Sequence, residues 1–164
     1  MGSFERIDET DARILELLQR DGRESYAEVG QAVGMSGPSV HERVKKLESR
    51  GVIRNYSALV DPTLLGYGVL AFIKQVPGTI ATDMTGDFVG IEEIEECHHL
   101  AGEADYLLKV RATDTRHLER VLHLIQQVPH VFTTETQMVF SSAFERRPLR
   151  MPREPEPLPN PSGS

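Results

Sequence analysis

The sequence predicts an α+β protein in which a helix-turn-helix near the N-terminus is followed by a ferredoxin-like βαββαβ domain. Residues 8–50 contain three capped segments with helical periodicity, and residues 68–140 alternate strand-like and helix-like segments in that order. We expect a helix-turn-helix domain over residues 1–51, a strand and linker over 52–67, and the ferredoxin-like domain over 68–144. The last segment, residues 145–164, holds six of the ten prolines and is expected to be a disordered tail.

The first two helices are predicted from their capping residues. Asp8 is a good N-cap for a helix that runs to Gly22. A second helix begins at Ser25, where Glu28 three residues later completes a capping box, and it ends at Gly34.

The third helix follows after a turn of three residues that contains glycine. Ser36 is its predicted N-cap, and Pro38 stands in the first turn, where a missing N–H costs nothing. Val40, Val44 and Leu47 form one apolar stripe, so the opposite side faces outwards. In a helix-turn-helix, the second helix of the pair enters the major groove of double-stranded DNA by its N-terminal end.

The charge distribution agrees with that role only locally. The chain has a net charge of −7, whereas residues 39–56 hold five basic and two acidic side chains, a surplus of three. Serine, histidine and lysine side chains on the outer face can reach phosphates or base edges. The candidate DNA contacts are Ser36, Pro38, Ser39, His41, Glu42, Lys45, Lys46 and Arg54. The alternative is a plain three-helix bundle, which also has capped helices and a charged outer face.

The second half is predicted element by element. Residues 52–60 are rich in β-branched and aromatic types and are expected to form a strand that leaves the first domain. The next strand covers residues 69–76, and a helix places Ile80, Met84 and Phe88 on one face. Strands over 94–101 and 106–112, a helix capped by Asp114 and a strand over 131–140 complete the order.

Other classes of protein have little support in the sequence. The one cysteine excludes an internal disulfide, and the lack of a long apolar run predicts a soluble cytoplasmic protein with no membrane span. Cys97 and His99 point to one side of a strand and His98 to the other, so two ligands remain, too few for a metal site. Catalytic signatures and Gly-rich phosphate loops are lacking, so neither an enzyme nor a cofactor is expected. His117, His123 and His130 are expected to face solvent.

Several segments together resemble the leucine-responsive regulatory protein family, also called Lrp/AsnC. They are residues 7–11 (IDETD) with 14–15, 21–23 (DGR), 40–48 (VHERVKKLE), 51–53 (GVI), 56–62 and 102–108 (GEADYLL). The resemblance covers about residues 7–144. It departs from the family at Gly37-Pro38-Ser39, where proline usually comes first, and at Glu42, which occupies an often basic position.

The resemblance implies a winged helix-turn-helix and an ACT-like regulatory domain of the ferredoxin-like type. It also implies dimers built through the sheets, higher assemblies that are often octamers, and an amino acid or related small molecule bound between regulatory domains. Carried over to this chain, the ligand site includes Gly102, Asp105 and Tyr106, with Thr134 and Thr136 on the last strand. The departures at Pro38 and Glu42 make the operator preference the least predictable property.

The loop that begins at Gly102 suits an amino acid on chemical grounds as well. Gly102 allows close approach of backbone N–H groups to a carboxylate, and Asp105 or Glu103 can hold an ammonium group. The alternative is an ordinary hairpin with Tyr106 in the core. The function predicted is a DNA-binding transcription regulator with a small-molecule effector; the rival is a sensor or oligomerisation module, metal-binding or not, with little DNA binding of its own.

Overall fold

The computed structural model describes residues 7–77, 85–102 and 106–150. The chain divides into two compact units, one formed by residues 1–58 together with 144–164 and the other by residues 59–143. Residues 144–150 therefore belong to the same unit as the N-terminal helices.

Three helices form the first unit, and their ends follow the capping residues. Helix α1 spans Glu9–Arg20, α2 spans Tyr26–Val33 and α3 spans Gly37–Ser49. Asp8 accepts a hydrogen bond from the N–H of Asp11 at 2.7 Å, and Ser25 and Glu28 form the predicted capping box. The predicted starts of these helices are confirmed.

The turn between α2 and α3 depends on two glycines. Gly34 has φ +71°, a left-handed conformation that glycine adopts without a steric cost. Gly30 lies inside α2, and a Cβ atom added there would come within 2.5 Å of the Met35 carbonyl oxygen. These two positions let the chain turn tightly, so the apolar stripes of the helices meet in one core. The core residues are Ile14, Leu17, Val29, Val40 and Val44.

The predicted strand over residues 52–60 is wrong. The structure has neither helix nor strand between Gly51 and Pro62, and a single 3₁₀ turn follows at Thr63–Leu65. The N–H groups of Val52 and Ile53 both donate to the Leu47 carbonyl at the end of α3. A β-strand needs a neighbouring strand for its ladder, and no described residue of this chain supplies one here. Composition alone predicted the strand, and composition does not supply a partner.

The second unit is a four-stranded antiparallel sheet with helices on one face. It consists of β1 (Val69–Pro77), α4 (Thr85–Phe88), β2 (Ile94–His99), β3 (Tyr106–Ala112), α5 (Thr115–Gln127) and β4 (Val131–Val139). The strand order β2-β3-β1-β4 and the element order are those of the predicted βαββαβ fold. Phe88 on α4 is buried as predicted, whereas Ile80 and Met84 lie outside the described residues.

The core of this unit lies between the sheet and α5. Asp114 caps α5 by accepting from the N–H of His117 at 2.8 Å, as predicted. Leu118, Val121 and Ile125 of α5 are buried against alternate residues of β1 and β3. The strands thus have one apolar side that faces the helices. This alternation decides which side chains of the strands in the candidate effector site face the helices.

Candidate nucleic-acid interface and effector site

The N-terminal end of α3 is closed by two serines. The N–H of Ser39 donates to Ser36 Oγ at 3.3 Å, and the two hydroxyl oxygens lie 2.8 Å apart. Pro38 stands at the start of the helix, where it has no N–H to leave unpaired. Both hydroxyls are exposed, so this end of the helix presents polar groups to the outside.

The outer side of α3 carries the remaining candidate DNA contacts. Val40, Val44 and Leu47 are buried, and the residues on the other side of the helix axis are exposed. All eight candidates are exposed: Ser36, Pro38, Ser39, His41, Glu42, Lys45, Lys46 and Arg54. Among the residues that the structure describes, none forms an ion pair with Lys45 or Lys46, so both ammonium groups are available to phosphates.

His41 has a neighbour that the sequence did not reveal. Its ring stacks on that of Tyr26, with centroids 5.2 Å apart and planes inclined by 16°. Tyr26 is the first residue of α2, so the stack joins the two helices of the helix-turn-helix and limits the orientations open to His41.

Arg43 does not belong to the outward set. Its Nη1 lies 2.7 Å from Asp8 Oδ2 and 2.7 Å from Asp11 Oδ1, and the two carboxylates raise the pKa of the guanidinium. The local surplus of three positive charges counted Arg43, and without it the surplus falls to two. The positive charge offered to DNA is therefore smaller than the linear sequence suggested.

Tyr56 anchors the segment that follows α3 and carries Arg54. Its hydroxyl donates to Glu48 Oε1 at 2.9 Å. Burial and this carboxylate raise the pKa of Tyr56 to about 12. The hydroxyl therefore stays protonated well above neutral pH and continues to donate to Glu48, which holds residues 52–56 beside the end of α3.

Four of the candidate effector residues are described, and they lie towards one end of the sheet. Gly102 is exposed in the loop before β3, and Tyr106 is the first residue of β3. Thr134 and Thr136 lie two residues apart on β4 and so share its helix-facing side. Glu103 and Asp105 lie outside the described residues.

Tyr106 lies in the core, as the hairpin alternative expects. It is 2% exposed, stacks on His99 with centroids 5.1 Å apart and meets the edge of Phe88 at 5.6 Å. In the register, His99 pairs with Tyr106, Tyr106 with Gln75, and Gln75 with Thr134. These four side chains form one row across all four strands.

Gln75 is the member of this row that sequence reasoning missed. It is fully buried, and among the described residues neither its Oε1 nor its Nε2 has a hydrogen-bond partner. Its neighbour Thr134 already accepts from Gln126 Nε2 at 3.2 Å. The signal was present, since Gln75 follows Ala71 and Ile73 at a spacing of two and so takes an apolar position of β1.

The histidines and the cysteine of the second unit lie partly as predicted. Cys97 and His99 pair with Leu108 and Tyr106 of the core side and His98 with Leu107, which confirms their predicted directions. Within the described ranges no three or more potential ligands come together as a metal site. The expectation that His117 faces solvent is wrong. Its side chain is 18% exposed, and its Nε2 lies 2.9 Å from Glu93 Oε1.

The first unit is a helix-turn-helix whose third helix is exposed and carries lysines, and the second is an antiparallel α+β unit. Together they define a DNA-binding transcription regulator built from two units. The family models agree. Residues 7–48 match the AsnC-type helix-turn-helix domain, and residues 78–149 match the Lrp/AsnC ligand binding domain. This chain belongs to the Lrp/AsnC family.

Individual relatives give the same assignment over most of the chain. The HTH-type transcriptional regulator FL11 of Pyrococcus abyssi is 37% identical over 145 residues, which cover 87% of this chain and 95% of the relative. The curated relatives and the matching families are transcription regulators and not enzymes, as the sequence predicted. No helix among residues 7–77, 85–102 and 106–150 has the length and apolar character needed to cross a bilayer.

Two solved structures are similar in fold and contain an amino acid. The feast or famine regulatory protein of M. tuberculosis, complexed with L-methionine, has a TM-score of 0.82 and 33% identity, and the match covers 87% of this chain and 97% of that one. A transcriptional regulator from Neisseria meningitidis in complex with L-methionine has a TM-score of 0.79 and 31% identity, with coverages of 88% and 96%.

Proposed function

We propose that this regulator reads DNA with the outer face of α3 and responds to an amino acid bound at the end of the sheet where β3 begins. The observation that carries the DNA half is the exposure of all eight candidate contacts on and after α3, with the apolar side of the helix buried. As a regulator of transcription, it is expected to act in the cytoplasm.

The DNA contact is tested by the salt dependence of binding. Fluorescence anisotropy with a labelled mixed-sequence duplex gives the affinity at several salt concentrations. Replacing Lys45 by alanine removes one phosphate contact, so the slope of log K against log salt is expected to fall by about one. Lys74→Ala is the matched control, because it also removes one positive charge but lies on β1, where Lys74 pairs with Glu135 at 3.6 Å.

The rival function makes the opposite prediction in the same assay. A sensor or oligomerisation module with little DNA binding of its own would bind the duplex equally well after charge reversal at Lys45 and Lys46. That result would contradict the proposed use of α3.

Two features support the proposed amino-acid site. They are the row of side chains that contains Tyr106, Gln75 and Thr134, and the loop that precedes β3. Gly102 lies in open surroundings, since a Cβ atom added there would meet no described atom within 4 Å. Gly102, Glu103, Asp105, Tyr106, Thr134 and Thr136 remain the candidate ligand residues, and the unpaired amide of Gln75 is added to them. L-methionine is the first probe, because two structural relatives were crystallised with it.

A thermal-shift screen of the amino acids tests the effector. A ligand that binds only the folded state at 100 times its dissociation constant adds about 2.7 kcal/mol to stability. Asp105→Ala is expected to abolish the shift and leave binding to the duplex unchanged, whereas Asp87→Ala on α4 should keep both. Absence of a shift with every amino acid would contradict this half of the proposal.

We further propose a dimer or a larger assembly, octamers included, in which paired α3 helices enter successive major grooves about 34 Å apart. Exposed apolar side chains at the start of the second unit support an oligomer, because a monomer gains nothing by leaving them in water. They are Leu59, Val60, Leu64 and Leu65, which are 62–85% exposed. Light scattering coupled to size-exclusion chromatography measures the mass, and a monomer at all concentrations would contradict the assembly.

A further inference from the structure

The first unit contains a groove that neither the DNA contacts of α3 nor the effector site uses. It has a volume of about 960 Å³ and lies between α1 and residues 52–56. Its apolar lining includes Leu15, Leu18, Val52, Ile53 and Tyr56. Val52 and Tyr56 remain 36% and 50% exposed, so the three-helix core leaves this surface uncovered.

The C-terminal segment is attached at the rim of this groove. Gln19 of α1 donates from Nε2 to the Leu149 carbonyl at 3.0 Å and accepts from the Leu149 N–H at Oε1 at 2.7 Å. One side-chain amide thus pairs with both polar groups of a single backbone residue, as a neighbouring strand would. Leu149 and Arg150 consequently join the lining of the groove.

Charge also favours the segment at this position. Glu16 on α1 accepts a hydrogen bond from Arg13, and Arg20 and Arg150 add their positive charges. Together these arginines keep the pKa of Glu16 below its ordinary value. Arg150 is therefore within electrostatic reach of the acidic side chain that lines the same groove.

We propose that the groove is the docking site of this chain's own C-terminal segment, with residues 151–158 continuing from Arg150 along α1. Eight residues of polyproline helix extend about 25 Å, and the 12 residues of α1 extend about 18 Å, so the segment is long enough to follow the groove. The proposal is independent of the effector and of the operator.

The chemistry of the segment fits an apolar groove with an aromatic ring. Residues 151–158 include prolines 152, 155 and 157, which carry no N–H that burial would leave unpaired. Proline also restricts φ in the free chain, so docking costs less conformational entropy, and proline-rich segments dock in aromatic-lined grooves. Met151 and Leu158 supply apolar side chains, and Tyr56 supplies the ring.

Docking would place the segment next to a predicted DNA contact. Arg54 lines the same groove, whereas α3 contributes no residue to the described lining. An occupied groove therefore bears on Arg54 and leaves Lys45 and Lys46 unaffected.

Limited trypsin digestion of the full-length protein tests the docking, since trypsin cleaves after Arg150 and Arg153 when the segment is released. Cleavage of a transiently open state follows the population of that state. Gln19→Ala removes both hydrogen bonds to Leu149 and should speed these two cleavages about tenfold. Gln19 is exposed, so the fold should survive, and Gln127→Ala on α5 is the matched control.

A second variant tests the groove itself. Val52→Asp places a charge in the apolar lining at an exposed position and should also release the segment. Equal cleavage rates in the wild type, Gln19→Ala and Val52→Asp would overturn the proposal. Protection that grows with protein concentration would mean that a second copy's segment fills the groove, and this would overturn the intramolecular docking as well.

Discussion

The guanidinium of Arg43 on α3 lies 2.7 Å from the Asp11 carboxylate on α1. The Asp11 side chain is only 12% exposed, and the same guanidinium nitrogen also contacts the N-cap residue Asp8. The pair joins the helix that is proposed to read DNA to the first helix of the unit. The pair therefore fixes the orientation of α3. The charge of Arg43 is neutralised by these two carboxylates and is not offered to DNA.

Arg43→Gln should destabilise the protein without weakening DNA binding directly. The substitution leaves the mostly buried Asp11 carboxylate without its charged partner, which should cost about 1–3 kcal/mol. Chemical denaturation of Arg43→Gln, Asp11→Asn and the double variant gives the coupling energy. If the salt slope of DNA binding fell as much in folded Arg43→Gln as in Lys45→Ala, the inward role of Arg43 would be contradicted.

The pair of Glu93 and His117 should make stability depend on acid pH. His117 Nδ1 accepts from the Thr113 N–H at 3.3 Å, so the ring proton is on Nε2 and points at Glu93. This hydrogen bond from His117 is the main reason that the pKa of Glu93 lies below its ordinary value of 4.5. Because the folded-state pKa is depressed, the stabilisation is complete above pH 4.5 and is lost as the pH falls through the folded value.

Glu93→Gln measures this contribution. The difference in unfolding free energy between wild type and Glu93→Gln should shrink as the pH falls below about 4.5. Glu119→Gln on the exposed side of α5 serves as the control and should show no such trend. A difference that grows as the pH falls below about 4.5 would contradict the assigned sign.

Gly30→Ala should destabilise the helix-turn-helix although alanine favours helices. The added Cβ would come within 2.5 Å of the Met35 carbonyl oxygen, which is backbone and cannot rotate away. Forcing this shift should cost about 1–3 kcal/mol. Gly86→Ala on α4 meets no described atom within 4 Å and should be neutral or slightly stabilising in the same thermal melts.

Local signals predicted most of the fold, because caps and periodicity act over a few residues. Asp8, Ser25, Ser36 and Asp114 each predicted a helix start that the structure has. The alternation of apolar residues predicted β1 to β4 in the same way. The strand over residues 52–60 failed because strand formation depends on a partner that composition does not reveal.

The candidate site was less predictable, because it depends on contacts between distant residues. The exposure of Lys45 followed from the helical period, but the pairing of Arg43 with Asp8 and Asp11 joins residues more than 30 positions apart. The row that contains Gln75 likewise exists only once the register of all four strands is fixed. The attachment of Leu149 to Gln19 spans 130 positions and has no local signal.

Gln75→Met should stabilise the protein in the absence of ligand. Methionine has a similar shape and no amide, so the variant removes from a fully buried position two polar groups that have no partner among the described residues. Such groups cost about 1–3 kcal/mol when left unsatisfied, and the unfolding free energy should rise by a similar amount.

Gln126→Met is the control and should not stabilise, because its amide already donates to Thr134. A fall in the stability of Gln75→Met would show that the amide is paired in solution. If the amide serves the effector, the more stable variant should also lose its thermal shift with the amino acid that shifts the wild type.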